Sequence, residues 1–119
     1  MSRETKANVD FDSTFGKLDI RLGRITKVDL ETSTPKRTYR MEIDFGKFGK
    51  KVSYGRFTQH PVDEVLNRQV MAVLNFGPKP MGPVVSECLV IGVQYPKAES
   101  GEATFVVPMV EAKIGSKLF

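Results

Sequence analysis

Strict alternation between residues 39 and 45 is the feature that most constrains the fold. Apolar side chains occupy every second position of the segment YRMEIDF, from Tyr39 to Phe45, and charged side chains stand between them. Because successive side chains of a strand point to opposite faces of a sheet, this pattern predicts a half-buried β-strand. Its apolar face places Tyr39 and Phe45 in the core. The turn residues GKFGK follow, so residues 39–57 predict a β-hairpin.

Further strands are predicted on both sides of this hairpin. Residues 18–30 alternate at strand period, but the apolar phase slips after Gly23, which indicates a bulge or sharp bend. Pro61 begins a short helix that ends near Asn67. The apolar segments 70–76 and 84–93 predict core strands on either side of a Gly/Pro-rich loop at 77–83, and 103–107 is a further strand.

Three strands, a short helix and two more strands form a recognisable order. It predicts an all-β fold: a five-stranded Greek-key OB-fold barrel with a short helix between strands 3 and 4 and terminal extensions. At 119 residues and 40% apolar content the chain has room for one domain with a packed core. Residues 1–14 are polar and aperiodic and predict an arm or short helix, so the domain spans 15–119.

Catalytic and metal-binding residue types are scarce. The single His60 lies in a loop, where we expect a surface or capping residue, and the single Cys88 lies in an apolar run, where we expect a buried thiol. The sequence therefore predicts no catalytic residue, no metal site and no cofactor. No apolar run reaches the roughly 20 residues of a membrane helix, and the N-terminus has no apolar signal core, so we expect a cytoplasmic protein without membrane insertion.

Positive charge is concentrated in one stretch of the chain. Residues 36–56 carry seven bases and two acids, a net charge of +5, whereas the whole chain carries +4. Such a basic stripe is typical of polyphosphate binding. Aromatic residues lie within it, and bases stack on aromatic side chains in nucleic-acid complexes. Phe48, at a Lys-rich turn, is either an exposed stacking platform or a packing residue, and Tyr54 lies on the strand where OB barrels present their ligand face.

Several segments also resemble one known family. Residues 18–25 (LDIRLGRI) resemble the opening strand of the tRNA-binding domain family, and residues 73–82 (VLNFGPKPMG) with 86–92 (SECLVIG) resemble its central motif and the strand after it. Residues 110–117 (VEAKIGSK) are similar to its terminal element. The resemblance covers residues 15–118 in order, and the length is most similar to the free-standing, CsaA-like members. It implies an OB fold, a homodimer formed through the terminal segments, affinity for tRNA, and a role in protein export as a chaperone of unfolded or preprotein chains.

One segment departs from the family pattern. Family members often carry SSAQI or SGL after the third strand, whereas residues 53–57 here are SYGRF. The tyrosine and arginine enlarge the ligand face, so the preference for RNA or peptide is expected to differ.

Two ligand classes remain open for this face. For tRNA or another structured RNA, we expect phosphate contacts from the basic side chains and base contacts from polar or aromatic ones. The predicted RNA-binding residues are Lys36, Arg37, Lys47, Lys50, Lys51, Ser53, Tyr54, Arg56, Asn75, Lys79 and Ser86. The alternative is a holdase chaperone whose apolar groove takes extended peptides without a physiological RNA role. The predicted peptide-binding residues are Phe57, Phe76 and Met81.

Overall fold

The computed structural model describes residues 4–119, and the first three residues of the predicted arm lie outside this range. A 3₁₀ turn, Phe15–Lys17, precedes the barrel and a second, Gly46–Phe48, lies within it. The remaining elements are β1 Ile20–Glu31, β2 Thr38–Asp44, β3 Lys50–Gly55, α1 Val62–Val65, β4 Gln69–Val73, β5 Lys79–Met81, β6 Val84–Ser86, β7 Leu89–Val90, β8 Gly92–Val93 and β9 Thr104–Phe105. No helix among the described residues is long and apolar enough to span a membrane.

Five of these strands form one antiparallel sheet in the order β3-β2-β1-β4-β7. The sheet curls until β3 meets β7, where the hydroxyl of Ser53 donates to the carbonyl of Cys88 at 3.0 Å. Next to that contact, the backbone N–H of Glu87 donates to the carbonyl of Val52 at 2.8 Å. The chain is thus an all-β, nearly closed five-stranded barrel with one short helix, which confirms the predicted fold class.

The long strand β1 makes this curvature possible because it changes partner along its length. Residues 20–24 pair with β4, and residues 24–31 pair with β2. The ladder with β2 shifts register between Ile25 and Lys27, so the predicted bulge exists but lies beyond Gly23. Gly23 itself pairs regularly with Val70. A side chain there would collide with Ile43 and Phe45, so close approach of the core explains this glycine.

The core fills the barrel as the alternation predicted. Tyr39, Met41, Ile43 and Phe45 are all buried, and the last three have no exposed surface. Val65, on α1, is also fully buried and belongs to the same apolar cluster, so the short helix contributes to the barrel core.

Three predicted segments differ from the structure. The stretch 84–93 is divided among β6, β7 and β8, and the predicted loop 77–83 contains β5, which pairs with β6 as a hairpin. The predicted strand 70–76 ends at Val73. A continuous apolar run indicates that a segment is buried, but it does not indicate where the chain bends. The sequence therefore could not show where one strand ends and the next begins.

The C-terminal segment is hydrogen-bonded to β1. The N–H of Leu22 donates to the carbonyl of Ser116 at 2.9 Å, and the N–H of Leu118 donates to the carbonyl of Ile20 at 2.8 Å. The C-terminal segment therefore lies along β1. Within residues 4–14 the structure contains turns, such as the 3.2 Å bond from the N–H of Thr14 to the carbonyl of Phe11, and no helix.

Candidate nucleic-acid interface

A small apolar cavity lies between the β1–β2 loop and the tip of the β5–β6 hairpin, where OB barrels bind oligonucleotides. Its volume is about 220 Å³. Three predicted site residues surround it: Lys36 from the loop, Arg56 from the end of β3, and Met81 from the hairpin. Sequence had assigned these side chains to two different ligands, RNA and peptide. The fold brings them to one place.

Arg56 is held by the protein at this site. Its Nε donates to the carbonyl of Arg37 at 3.2 Å, its Nη1 donates to the carbonyl of Ser100, and its Nη2 lies 3.8 Å from the carboxylate of Glu99. The side chain is only 14% exposed. Arg56 therefore joins the β1–β2 loop to the loop before β9 through two hydrogen bonds and one ion pair.

Lys36 and Arg37 form the exposed positive end of the same loop. Both side chains are exposed, and neither forms an ion pair with any carboxylate in residues 4–119. Their backbone is fixed, because the carbonyl of Lys36 accepts from the hydroxyls of Thr34 and Thr38, each at 2.9 Å. Two unpaired cations on a braced loop are suited to contact phosphate oxygens.

The outward face of β2 and β3 continues from this loop. Arg40 lies opposite Tyr54 in the register, and both are half-buried. Arg40 donates to Glu42 at 2.9 Å, and this bond lowers the pKa of the Glu42 carboxyl below its usual value. The face is therefore partly neutralised in its middle. Arg40 was not among the predicted site residues, although it stands within the basic stripe.

The other cations of the stripe lie at the opposite end of the hairpin. Lys47 and Lys50 are exposed in and after the turn that joins β2 to β3. The six residue steps from Thr38 to Asp44 separate them from the loop by roughly 20 Å at the usual strand rise. The single stripe in the sequence is thus two basic regions in space.

Lys51 differs from its neighbours. It pairs with Ile43 in the register and is half-buried rather than fully exposed. Its charge acts on the thiol of Cys88. Burial nevertheless raises the pKa of that thiol to about 11, against the lowering effects of Ser53 and Lys51. The buried Cys88 is confirmed.

Three predicted RNA-binding residues with polar, uncharged side chains have structural partners. Ser53 is 1% exposed and closes the barrel through Cys88, as described above. Ser86 is 3% exposed, and its Oγ accepts from the N–H of Tyr54 at 2.9 Å. Asn75 accepts from the N–H of Asp19 and donates to the carbonyl of Lys17, both at 2.8 Å. Because these polar groups hold strands and chain ends together, we leave them out of the contact surface proposed below.

The predicted peptide-binding residues separate in the same way. Phe57 is buried at 5% exposure, and its ring stacks on Phe105 with the centroids 4.0 Å apart. Phe76 is 56% exposed just before β5, and Met81 is half-buried at the hairpin tip. Lys79, predicted to contact RNA, is exposed on the same hairpin. Phe76 and the hairpin residues Lys79 and Met81 are therefore accessible to a ligand, whereas Phe57 is not.

The remaining candidates, a histidine and a phenylalanine, contact other parts of the barrel. The Nε2 of His60 lies 2.8 Å from the hydroxyl of Thr104, and the carbonyl of His60 accepts from the hydroxyl of Tyr39 at 2.8 Å. Phe48 is half-buried and packs against the core cluster, so it is not a freely exposed platform. No group of three or more His, Cys, Asp or Glu residues within residues 4–119 is arranged to hold a metal ion.

Comparison with known proteins places this geometry in a family. No family model matches the sequence. The methionine–tRNA ligase of Salinibacter ruber is 32% identical over 109 residues, which are 92% of this chain but 14% of the ligase, and that of Pyrococcus horikoshii is 30% identical over 87% of the chain. The chain thus spans about one seventh of the curated relatives it matches. The MetRS-related protein of Pyrococcus horikoshii, at 22% identity and a TM-score of 0.78, shares the fold.

Two of the matching solved structures are CsaA chaperones. The CsaA chaperone of Bacillus anthracis is 32% identical with a TM-score of 0.84, and the comparison covers 95% of this chain and 100% of that one. The CsaA chaperone protein of Picrophilus torridus is 30% identical with a TM-score of 0.81, over 94% and 100% of the two chains. The chain therefore belongs to the CsaA family, as the resemblance in its sequence predicted.

Proposed function

We propose that this protein is a cytoplasmic, homodimeric binder of tRNA or a similarly structured RNA and that it is not a catalyst. The observation that carries the proposal is the braced loop beside the ligand cavity of an OB-type barrel, on which Lys36 and Arg37 are exposed and pair with no carboxylate of residues 4–119. The similarity to a segment of methionine–tRNA ligases supports tRNA as the RNA class. We assign no chemical step, since the one cysteine is buried and the one histidine is bonded to Thr104.

The RNA lies, in this proposal, across the outer face of β2 and β3. Tyr54 offers a ring beside Arg40, and Arg56 acts by positioning the loop. Phosphate contacts come from the exposed cations at both ends of the hairpin and on β5, which are Lys36, Arg37, Lys47, Lys50 and Lys79. Lys51 contributes through its partly exposed end. Shape and phosphate spacing therefore dominate recognition, as in most binding of folded RNA.

Titration of labelled total tRNA at two salt concentrations fourfold apart tests this proposal. About five phosphate contacts per protomer give a slope of log K against log salt near −4, so affinity should fall roughly 10²-fold between the two conditions. The Lys36→Ala/Arg37→Ala protein should bind less tightly at low salt and show a slope shallower by about 2.

A charge-matched control removes two exposed lysines outside the interface. Lys6→Ala/Lys97→Asn lowers the net charge by the same two units, and asparagine tolerates the positive φ of 64° at position 97. This control should keep the parent slope. No binding of tRNA at low salt, or equal weakening by both double variants, would overturn the proposal.

A second copy of the chain is the proposed occupant of the apolar surface formed by the two chain ends. Phe11 is 64% exposed, Leu118 39% and Phe119 100%, and all three line one groove of about 450 Å³. Exposed apolar side chains gathered in one place mark an interaction surface. Light scattering should give twice the chain mass for the parent and the monomer mass for Phe11→Ser/Phe119→Ser. A monomeric parent would refute the dimer.

A second function, as a holdase for unfolded or preprotein chains in protein export, is favoured by a different observation. Phe76 and Val85 are 56% and 49% exposed on or beside the β5–β6 hairpin, next to Met81. The CsaA relatives are described as chaperones. Suppression of aggregation of a reduced, unfolded protein should survive high salt and be lost in Phe76→Ser/Val85→Ser. If the suppression of aggregation instead disappears at high salt, it would be attributed to the basic surface and not to the apolar hairpin.

A further inference from the structure

A second cavity, which is positively charged, lies away from the loop site, between the β2–β3 turn and the C-terminal segment. Its volume is about 420 Å³, many times the roughly 30 Å³ that a water molecule takes up. The charged side chains that line it are Arg21 from β1, Lys47 from the turn and Lys113 from the C-terminal segment, and no carboxylate of the described part of the chain lines it. These three cations are far apart in sequence, so only the fold brings them together.

Phe48 holds two of these cations in place. The guanidinium carbon of Arg21 lies 4.3 Å from the centroid of the Phe48 ring, and the Nζ of Lys47 lies 5.4 Å from it. Both distances fall within the range of cation–π attraction. The half-buried Phe48 packs on the core, so the ring is a fixed support for charge, which explains an aromatic residue in a Lys-rich turn.

Arg21 is positioned further by two hydrogen bonds. Its Nε donates to Asp19 at 2.6 Å, and its Nη1 donates to the carbonyl of Gly115 at 3.3 Å. Gly115 adopts a φ of +86°, and a Cβ there would lie 3.0 Å from the carbonyl oxygen of Phe45. The C-terminal wall of the cavity is thus held close to the turn, and the guanidinium is preorganised rather than free.

The charge of the cavity is only partly balanced. Asp19 pairs with Arg21, whereas Lys47 and Lys113 form no ion pair with a carboxylate among the described residues. The next carboxylate along the turn, Asp44, accepts from the N–H of Gly46 at 2.9 Å. Like charges collected around one cavity repel one another unless an anion lies between them.

We propose that this cavity is a phosphate-binding site formed by Arg21, Lys47 and Lys113 against the Phe48 ring. Guanidinium and ammonium groups together provide the planar and the point-like donors that phosphate oxygens accept. The ligand chemistry is a phosphate group, and we commit to a backbone phosphate of the RNA bound on the β2–β3 face, so this inference rests on the proposed function. The RNA would then contact the barrel at both ends of the hairpin.

The first measurement uses inorganic phosphate alone, added to ¹⁵N-labelled protein at constant ionic strength with chloride as the reference. We expect saturable shifts in the amide signals of residues 46–48 and 113–116. Lys47→Ala/Lys113→Ala, which alters two exposed side chains, should abolish the saturation, and Lys6→Ala/Lys97→Asn should not. The absence of saturable shifts in the parent protein would overturn the site.

The second measurement asks whether RNA is the source of the phosphate. The Lys47→Ala/Lys113→Ala protein should show a tRNA salt slope shallower by about 2. A parent slope in this variant, with weakening confined to Lys36→Ala/Arg37→Ala, would refute the RNA phosphate in this cavity and remove Lys47 from the proposed contacts, while RNA binding through the β1–β2 loop stands. Saturable inorganic phosphate binding without any tRNA binding would refute the proposed function and assign the cavity to a free phosphate compound.

Discussion

A single methyl group added at Gly23 tests the packing on which the barrel depends. A Cβ at this position would lie 2.6 Å from Cγ2 of Ile43 and 2.6 Å from Cε1 of Phe45. Carbon atoms in good contact are about 3.5–4.0 Å apart, so the neighbours would have to move by close to 1 Å. Both neighbours have no exposed surface, so neither can move without displacing other core side chains.

We expect Gly23→Ala to lower the free energy of unfolding by about 1–3 kcal/mol, the usual cost of overpacking a well-packed core. For a domain of this size the melting temperature should fall by roughly 3–18 °C. Urea denaturation followed by circular dichroism gives the first quantity. Protein concentration must be held constant, because the stability of a dimer depends on it.

A double-mutant cycle isolates the collision. Phe45→Leu removes the ring atom closest to the new methyl group, so the two changes together should cost about 0.5–3 kcal/mol less than their sum. Gly49→Ala measures the other cost of replacing a glycine: its φ is +83° and no atom would lie within 4 Å of the new Cβ, so it reports backbone strain without a collision, whereas Gly23 has no positive φ and reports the collision without that strain. A Gly23→Ala protein as stable as the parent, or a cycle without coupling, would refute the reasoning.

The remaining predictions concern three buried polar groups: the thiol of Cys88 and the hydroxyls of Ser53 and Tyr39. Burial raises the pKa of the Cys88 thiol from 9.0 to about 11, so the folded protein should react with a disulfide reagent at pH 8 far more slowly than the urea-unfolded chain. Since the folded state disfavours the thiolate, the stability contributed by the neutral thiol is complete below pH 9.0 and declines between pH 9.0 and about 11. A Cys88→Ala protein should lack this pH-dependent decline of the unfolding free energy in urea titrations. Ser53→Ala should cost about 1–3 kcal/mol by leaving the Cys88 carbonyl without its donor, with tRNA affinity unchanged; weaker tRNA binding at full stability would return Ser53 to the interface. Tyr39→Phe removes the 2.8 Å bond to the carbonyl of His60 and should cost about 0.5–1.5 kcal/mol in the same assay, and an unchanged midpoint would contradict it.

The sequence was informative where one physical signal dominates. The alternation from Tyr39 to Phe45 predicted a strand and its buried face, because a half-buried strand repeats every two residues. The stretch after residue 83 shows the limit of that signal. There the polar Ser86 is buried and the apolar Val85 is exposed, which is the reverse of the usual relation between polarity and burial. The pattern therefore gives no indication that three short strands lie there.

The candidate site was predictable in type but not in arrangement. A count of charge along the chain found the basic stripe. The hairpin, however, brings the two ends of the stripe together at Lys36 and Arg56 and carries its middle, at Lys47 and Lys50, to the other end of the strands. Arg21 and Lys113 carry no local signal, because only tertiary structure brings them beside Lys47. Ser53 matched a polar position of a ligand face by sequence, whereas barrel closure turns it inward.

The bonds between β1 and the C-terminal segment affect how the chain folds during synthesis. Residues 20–22 of β1 stay without that partner until residue 118 has been made, because Leu118 and Ser116 supply it. At translation rates of about 5–20 residues per second, the interval between completing β1 at residue 31 and reaching residue 118 is roughly 4–17 s. A nascent chain paused within this interval presents an open strand edge to its surroundings, so protection of the Leu22 N–H from hydrogen exchange should arise only once Ser116 has left the ribosome.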